Sequence, residues 1–224
     1  AENSGTKLIT FEYEAYRGIL SELNTHSMLC KNAESSRAVP IKKRIEQIRT
    51  NPYVPIHWGS NQAGMVAGEE ISKPVRFSIC DHDGDEMDCE YIDRDSAWNI
   101  SANEVAGIME QWDNAGYHKQ IVNRIGEGFT TVKGVITATE WDNFWHLRRA
   151  PDADPAIKEL ADCMWLAKEA VEREMTYEFL KPGEWHTPYV QHTRRLSDDK
   201  LLYGFTELDL ATGENYFREI TLEE

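Results

Sequence analysis

The spacing of apolar residues along the chain predicts a mixture of strands and helices. Residues 6–14 alternate apolar and polar side chains, which is typical of a half-buried strand. Two similar runs surround an Asp-Gly pair in residues 75–93, so this segment predicts a hairpin. Residues 129–139 are rich in β-branched side chains and predict a buried strand. A weaker strand pattern lies near Leu201 to Phe205.

Other segments have apolar residues at helical spacing, and residues 16–23 are the first of them. A helix is predicted from Pro40 to about Thr50, because proline suits a first helical turn and isoleucines follow at helical spacing. Ser101 and Glu104 form a capping box, so we expect the next helix to begin there. The last two predicted helices each have an apolar stripe. The first stripe contains Trp141, Phe144 and Trp145, and the second contains Ile157, Leu160, Ala161, Met164 and Val171.

The order of these elements indicates the fold class. Strands and helices do not alternate as they do in a parallel βαβ fold, and the sequence has no internal repeat or low-complexity tract. We therefore predict an α+β fold in a single domain that covers residues 1–224.

The acidic composition limits the partners of the protein. Its 224 residues are 41% hydrophobic and 28% charged, and the formal net charge is -15. Such a surface repels nucleic acids and anionic membranes, so we expect neither as a partner. No apolar run approaches the ~20 residues that span a bilayer, and the N-terminus lacks the basic and apolar parts of a signal peptide. We therefore expect a cytoplasmic location.

The cysteines and histidines do not have the spacing of a metal site. The four cysteines are scattered without a C-x-x-C pair, and the histidines do not occur as H-x-x-H or H-E-x-x-H. The aspartates of residues 81–88 have their glycine at the fourth position of the run, where a calcium loop needs it at the sixth. We expect no metal. Cys80 and Cys89 could face each other across the hairpin, but the expected cytoplasmic location predicts reduced thiols.

Three arginines are candidates for an anion site in this acidic chain. Arg148 continues the stripe of Trp141 and its neighbours at helical spacing, and a buried guanidinium needs an anion or a route to water. One interpretation is an arginine that reaches solvent or forms an internal salt bridge. The other is a phosphate or carboxylate site shared with Arg37 and Arg124, because a guanidinium offers two parallel donors.

A short polar connection between two predicted helices has two interpretations as well. Residues 22–40 contain a histidine, a cysteine, a lysine, an asparagine, two adjacent serines and an arginine. A solvated surface loop has such a composition, and so does a site for a small anionic ligand.

Three segments resemble one enzyme family in the same order. The sequence THSMLCKNAESSRA, residues 25–38, resembles the RHRxxSxNxxSxR signature of flavin-dependent thymidylate synthases (ThyX). HKQIVNR, residues 118–124, resembles the segment that carries a substrate-binding arginine, and TATEWDNFWHLR, residues 137–148, resembles the NARxxxxFxxLR segment. Residues 53–65 and 183–190 are similar to stretches of divergent, phage-type members. An ordered set of this kind is more specific than one motif.

The resemblance implies an α+β homotetramer of ThyX-like chains, each with a mixed sheet flanked by helices, with FAD between subunits. Compared with that family, the region 68–100 is expected to be a β-hairpin insertion. Such an enzyme methylates dUMP to dTMP, with 5,10-methylenetetrahydrofolate as carbon donor and NADPH as the reductant of FAD. The pyrimidine nucleotide and the folate are then the partners, in the cytoplasm of the host if the protein is phage-encoded.

The resemblance also implies roles for single residues. Arg148 is the catalytic residue, because it stabilises charge that develops on the pyrimidine. The implied nucleotide-binding residues are Glu22, Ser35, Arg37, Arg124 and Arg148. The implied cofactor-binding residues are His26, Ser27, Asn32 and Asn143.

The chain departs from the family pattern at several positions, and the departures leave alternatives open. Thr25 and Ser27 stand where the family has arginines, and Cys30 stands where it has serine. Weaker hydride delivery would let water capture the exocyclic methylene and give a hydroxymethyl group on dUMP or dCMP. A third hypothesis is a catalytically silent relative that only binds a nucleotide.

Overall fold

The fold is described from a computed structural model. It describes the backbone of residues 6–80 and 86–174 and four further strand segments after residue 194, with side chains for residues 6–78 and 89–174. The chain divides into two compact units, Ala1–Met175 and Thr176–Glu224, which we describe separately. The expectation that residues 1–224 form a single domain stays a prediction.

The first unit contains five strands and six α-helices within its described residues. The strands are β1 (Ile9–Tyr16), β2 (Cys30–Ala33), β3 (Val75–Cys80), β4 (Glu86–Ile92) and β5 (Thr131–Ala138). The helices are α1 (Leu20–Asn24), α2 (Ile41–Thr50), α3 (Arg94–Asn114), α4 (Lys119–Ile125), α5 (Asp142–Arg148) and α6 (Pro155–Glu174). Two 3-10 turns, Arg17–Ile19 and Glu127–Phe129, precede α1 and β5.

The main sheet has the order β1-β5-β2, and both pairs are antiparallel. The α+β class is thus confirmed, whereas the described sheets are antiparallel and not mixed as predicted. Gly134 of β5 lies opposite Tyr13 of β1. A Cβ at Gly134 would lie 2.4 Å from the ring of Tyr13. Glycine at this position therefore lets an aromatic ring cross the central strand.

Two apolar clusters stabilise the first unit. The larger lies between the main sheet, α5 and α6, where the ring of Phe11 meets that of Trp141 edge-on, with centroids 5.1 Å apart. The aromatic stripe predicted on α5 is confirmed, because Trp141, Phe144 and Trp145 are all buried in this cluster. The smaller cluster joins α2, α3 and α4 through Ile45, Ile48, Ala102, Ala106, Met109 and Val122.

Helix α3 begins about two turns earlier than the sequence pattern predicts. The side chain of Asp93 caps it by accepting a hydrogen bond of 3.0 Å from the backbone N–H of Ser96. Ser101 lies inside the helix, and its hydroxyl donates to the carbonyl of Ala97. The predicted capping box at Ser101 and Glu104 is therefore wrong, because a serine inside a helix bonds back to its own preceding turn.

Strands β3 and β4 form the predicted hairpin, although its turn, residues 81–85, lies outside the described residues. The register places Ser78 opposite Cys89 and Glu86 opposite Cys80, with a shift between Ile79 and Cys80. Cys80 and Cys89 therefore do not lie opposite each other in this hairpin. That this region is an insertion stays a prediction.

The second unit consists of two antiparallel pairs in its described residues. Strand β6 (Arg195–Ser197) pairs with β7 (Lys200–Leu202), and β8 (Gly204–Leu208) pairs with β9 (Asn215–Glu219). The predicted strand near Leu201 to Phe205 falls on β7 and β8. The family-like segment 183–190 lies outside the described residues. In the described part of the chain, no helix is long and apolar enough to cross a membrane.

Candidate functional site

The end of α5 meets the turn after α1 through one arginine. Arg148 Nε donates to His26 Nε2 at 2.8 Å, and Nη2 donates to the carbonyl of Glu22 at 3.1 Å and to the hydroxyl of Thr25 at 3.0 Å. The stripe of α5 fixes this contact, because Phe144, one turn earlier, packs its ring edge-on to His26. Arg148 is thus brought to Glu22 and His26, from which it lies more than 120 residues away in the sequence.

His26 is held as a neutral acceptor at the centre of this group. Its side chain is buried, with the residue 6% exposed. Because Nε2 accepts from Arg148, the proton of the neutral ring lies on Nδ1. Burial lowers the pKa of His26, and the positive charges of Arg148 and Lys31 lower it further. Protonation of Nε2 would place a second N–H against the donor of Arg148, so the contact itself favours the neutral ring.

Two cations flank His26, and neither has an acidic partner among the described residues. The ammonium of Lys31 donates to the backbone carbonyl of His26, and burial lowers the pKa of this lysine. The carboxylate of Glu22, four residues before His26 in the sequence, instead accepts from the hydroxyl of Ser21 at 2.7 Å. The internal salt bridge considered for Arg148 is therefore not formed within the described residues. The result is a local positive site in a chain of net charge -15.

Arg148 keeps one end of its guanidinium for a ligand. Three hydrogen bonds engage Nε and Nη2, while Nη1 makes none within the described part of the chain. The side chain is partly exposed. A planar group fixed at two nitrogens presents the third in a defined direction, which a flexible ammonium does not do.

The second group of predicted residues lies on the loop after β2. Ser35 and Arg37 are exposed, and the hydroxyl of Ser35 accepts from the backbone N–H of Arg37 at 3.3 Å. Arg124 is exposed at the end of α4, next to Asn123, which hydrogen-bonds to this loop. Neither Arg37 nor Arg124 has a side-chain hydrogen bond or ion pair among the described residues. The four residues of β2 separate this loop from His26, a strand length of ~13 Å.

The remaining predicted residues are exposed and are not drawn into either group. Asn32 lies on β2 opposite Val135, Asn143 lies in the first turn of α5, and Ser27 follows His26. Within the described residues their side chains make no hydrogen bonds. They are accessible to a ligand, but the structure does not connect them to Arg148.

A buried ionic cluster beneath the loop was not predicted from the sequence. Arg17 and Arg44 lie on either side of the carboxylate of Glu34, with nitrogens 4.0 and 3.8 Å from the same oxygen. Arg44 is only 3% exposed, and burial together with the charge of Arg17 lowers its pKa. The burial of Arg44 could have been predicted from the sequence, because Arg44 lies on the helical stripe of Ile41, Ile45 and Ile48. Arg148 lies on the apolar stripe of α5 in the same way. Arg17 begins the 3-10 turn that follows β1 and has no such signal.

Fold and site together define an α+β protein with a cationic site between the turn after α1 and the end of α5. No known protein family model matches the chain, and no curated protein matches it significantly. Among the described residues, no group of three or more histidine, cysteine, aspartate or glutamate side chains is placed to hold a metal ion.

Proposed function

We propose that this protein transfers a one-carbon unit from 5,10-methylenetetrahydrofolate to C5 of a pyrimidine deoxynucleotide, converting dUMP to dTMP as flavin-dependent thymidylate synthases do. The observation that carries the proposal is the pair of cations, Lys31 and Arg148, held around a neutral His26. An acidic chain that keeps two cations together without a carboxylate has a site suited to an anionic ligand. The family-like motifs supply the identity of that ligand.

In the proposed reaction Arg148 acts on the pyrimidine ring. The pyrimidine attacks the carbon donor through C5 when negative charge on its ring oxygens makes the ring electron-rich, and a fixed cation stabilises that charge without reorganising. The contacts to Glu22, Thr25 and His26 hold the guanidinium in place, which leaves Nη1 for the ring. His26 acts as a positioning residue, because its lone pair orients Arg148.

The phosphate of the nucleotide is proposed to bind at the loop after β2. Ser35, Arg37 and Arg124 are exposed there, and both arginines lack an acidic partner in the described part of the chain. A phosphate accepts several charge-assisted hydrogen bonds and suits such a set. The length of β2 separates the loop from Arg148. We therefore propose that the phosphate binds at one end of the strand and the pyrimidine at the other.

The donor set also fits a flavin. Ser27, Asn32 and Asn143 expose neutral hydrogen-bonding groups, and His26 keeps its Nδ1–H beside them. The polar edge of a flavin ring requires neutral donors and acceptors of this kind. When bound and reduced by NADPH, FAD supplies the hydride that completes the methyl group. These four residues would hold it, together with groups from a second chain in the proposed homotetramer.

A second candidate is hydroxymethylation of dUMP or dCMP. It is favoured by Ser27, an exposed neutral side chain where the related motif has an arginine. Without a cation there, the reduced cofactor is held less tightly. Water then adds to the exocyclic methylene: its oxygen bonds to the methylene carbon, and its proton is released as the ring regains aromaticity.

The experiment is mass spectrometry of the products formed from methylenetetrahydrofolate and each of dUMP and dCMP, with and without FAD and NADPH. A methyl product that requires FAD and NADPH is expected. A hydroxymethyl product that forms without them would instead support the second candidate. Nucleotide binding without any product would leave a silent relative, the third hypothesis. Ser27→Arg is expected to raise FAD affinity, with Ser72→Arg, also exposed, as the matched control.

A further inference from the structure

The turn that carries Ser35 and Arg37 is closed by its own backbone. The N–H of Ala38 donates to the carbonyl of Ser35 at 2.8 Å, so residues 35–38 form a tight turn. Residue 34, just before the turn, is anchored to the sheet by a backbone hydrogen bond of 2.8 Å from Glu34 to Lys133. The two exposed side chains therefore project from a short, closed piece of backbone.

Asn123 of α4 holds this turn from beneath. Its side-chain amide donates to the carbonyl of Ser36 at 2.7 Å and to that of Val39 at 2.9 Å. The residue is 1% exposed, so water does not replace these bonds if they are lost. The two carbonyls lie on either side of Arg37 in the sequence, and one amide therefore fixes the backbone on both sides of that arginine.

Two further contacts hold the same segment. The hydroxyl of Ser36 donates to the carboxylate of Glu127, and both terminal nitrogens of Arg17 donate to the carbonyl of Glu34 at 3.3 Å. Glu34 is thus held by β5 and by Arg17, and Ser36 is held by the 3-10 turn at 127–129. Successive residues of a helix point in different directions, and Arg124 is exposed where Asn123 is buried.

We propose that Asn123 is a positioning residue for the anion-binding turn: it clamps residues 36 and 39 so that Ser35 and Arg37 are presented, beside Arg124, to the phosphate of the nucleotide. The inference rests on the proposed function for the identity of the anion. In this arrangement, one turn of α4 supplies both the amide of Asn123, which holds the turn, and the cation of Arg124.

The test compares Asn123→Ala with two controls. Val122→Ala removes a fully buried side chain of the same helix and is expected to lower the melting temperature without touching the turn. Arg37→Ala removes the presented cation. Titration with dUMP should show Asn123→Ala weakened at least about tenfold, a change of the size that one charge-assisted contact makes, and Val122→Ala unchanged. In the Arg37→Ala background the further effect of Asn123→Ala should largely disappear, because both act on one contact.

Trypsin cleavage after Arg37 measures the clamp without any nucleotide. At a temperature where all variants are folded, Asn123→Ala should be cut at this bond many times faster than the wild type, and Val122→Ala at nearly the wild-type rate. The inference is overturned if Asn123→Ala and Val122→Ala are cleaved at equal rates. It is also overturned if Asn123→Ala binds dUMP as the wild type does while Arg37→Ala binds it more weakly. Either result leaves the proposed function intact. Failure of the wild type to bind dUMP overturns the proposed function, and the cleavage rates then decide the clamp by themselves.

Discussion

At the residue scale, the guanidinium of Arg148 is held from three sides by the segment 22–26. The neighbouring Arg149 is engaged in a different way, in an ion pair of 2.7 Å with Asp162 and stacked over Trp165. Two adjacent arginines therefore serve different purposes. Arg149 ties α5 to α6, whereas Arg148 connects α5 to the candidate site.

Replacing Arg148 by alanine should abolish nucleotide turnover or reduce it severely while the chain still folds. Loss of the three hydrogen bonds leaves Nε2 of the buried His26 without a donor, so the free energy of unfolding should fall by ~1–3 kcal/mol. Arg148→Lys should not restore activity, because an ammonium cannot occupy all three contacts. Arg149→Ala is the matched control and should retain turnover. Steady-state kinetics and urea denaturation on the three variants make the comparison, and normal turnover in Arg148→Ala would show a structural role only.

The lowered pKa of His26 makes stability depend on pH. In the unfolded chain a histidine takes up a proton near pH ~6.5, whereas the folded chain resists it, so stability is fully present above that pH and falls below it. Each unit by which the pKa is lowered corresponds to ~1.4 kcal/mol. His26→Gln keeps an acceptor for Arg148 without a titrating ring. Urea denaturation at pH 7.5 and 5.5 should therefore show a smaller loss in His26→Gln than in the wild type, and equal losses would contradict the assignment.

At the element scale, the crossing of Tyr13 over Gly134 holds the centre of the main sheet. A methyl group at residue 134 meets ring atoms of Tyr13 at 2.4 Å, and the buried ring has little room to move. Overpacking of this kind usually costs ~1–3 kcal/mol. In contrast, a Cβ at Gly107 of α3 meets nothing within 4 Å. The two glycines are therefore kept for different reasons.

Gly134→Ala should lower the melting temperature, and Gly107→Ala should leave it unchanged or raise it, because alanine favours a helix over glycine by ~1 kcal/mol. Thermal unfolding followed by circular dichroism separates the two. A double variant, Gly134→Ala with Tyr13→Leu, should recover part of the loss if the clash with the ring is the cause. Equal melting temperatures for Gly134→Ala and the wild type would mean that β1 and β5 shift apart easily.

The sequence predicted elements with strong periodicity and missed features that depend on distant partners. The stripe of Trp141, Phe144 and Trp145 determined α5, and Pro40 with its isoleucines determined α2, because burial requires one apolar face. The start of α3 was missed because the Ser-x-x-Glu pattern occurs inside a helix as readily as at its end. Asn123 and Arg17 gave no local signal, since their partners lie far away in the chain.

At the scale of the whole molecule, we expect a homotetramer. Ser27, Asn32 and Asn143 are exposed and do not meet in one chain, so a flavin held by them needs a second chain to enclose it. Light scattering should return a mass of roughly four times the 25.8 kDa of one chain. A stable particle of 25.8 kDa that still binds FAD would exclude a shared site. Dilution below the dissociation constant of the tetramer should release FAD as the subunits separate.

The two cations around His26 also link folding to supply of the ligand. Lys31 and Arg148 both lie close enough to His26 to lower its pKa, and a nucleotide bound at this site stabilises the folded chain but not the unfolded one. Ligand at a hundred times its dissociation constant adds ~2.7 kcal/mol to the free energy of unfolding. A cell rich in the nucleotide would thus preserve the protein from proteolysis, and a cell depleted of it would lose the protein sooner. The lifetime of the chain would then report the size of the pool on which it acts.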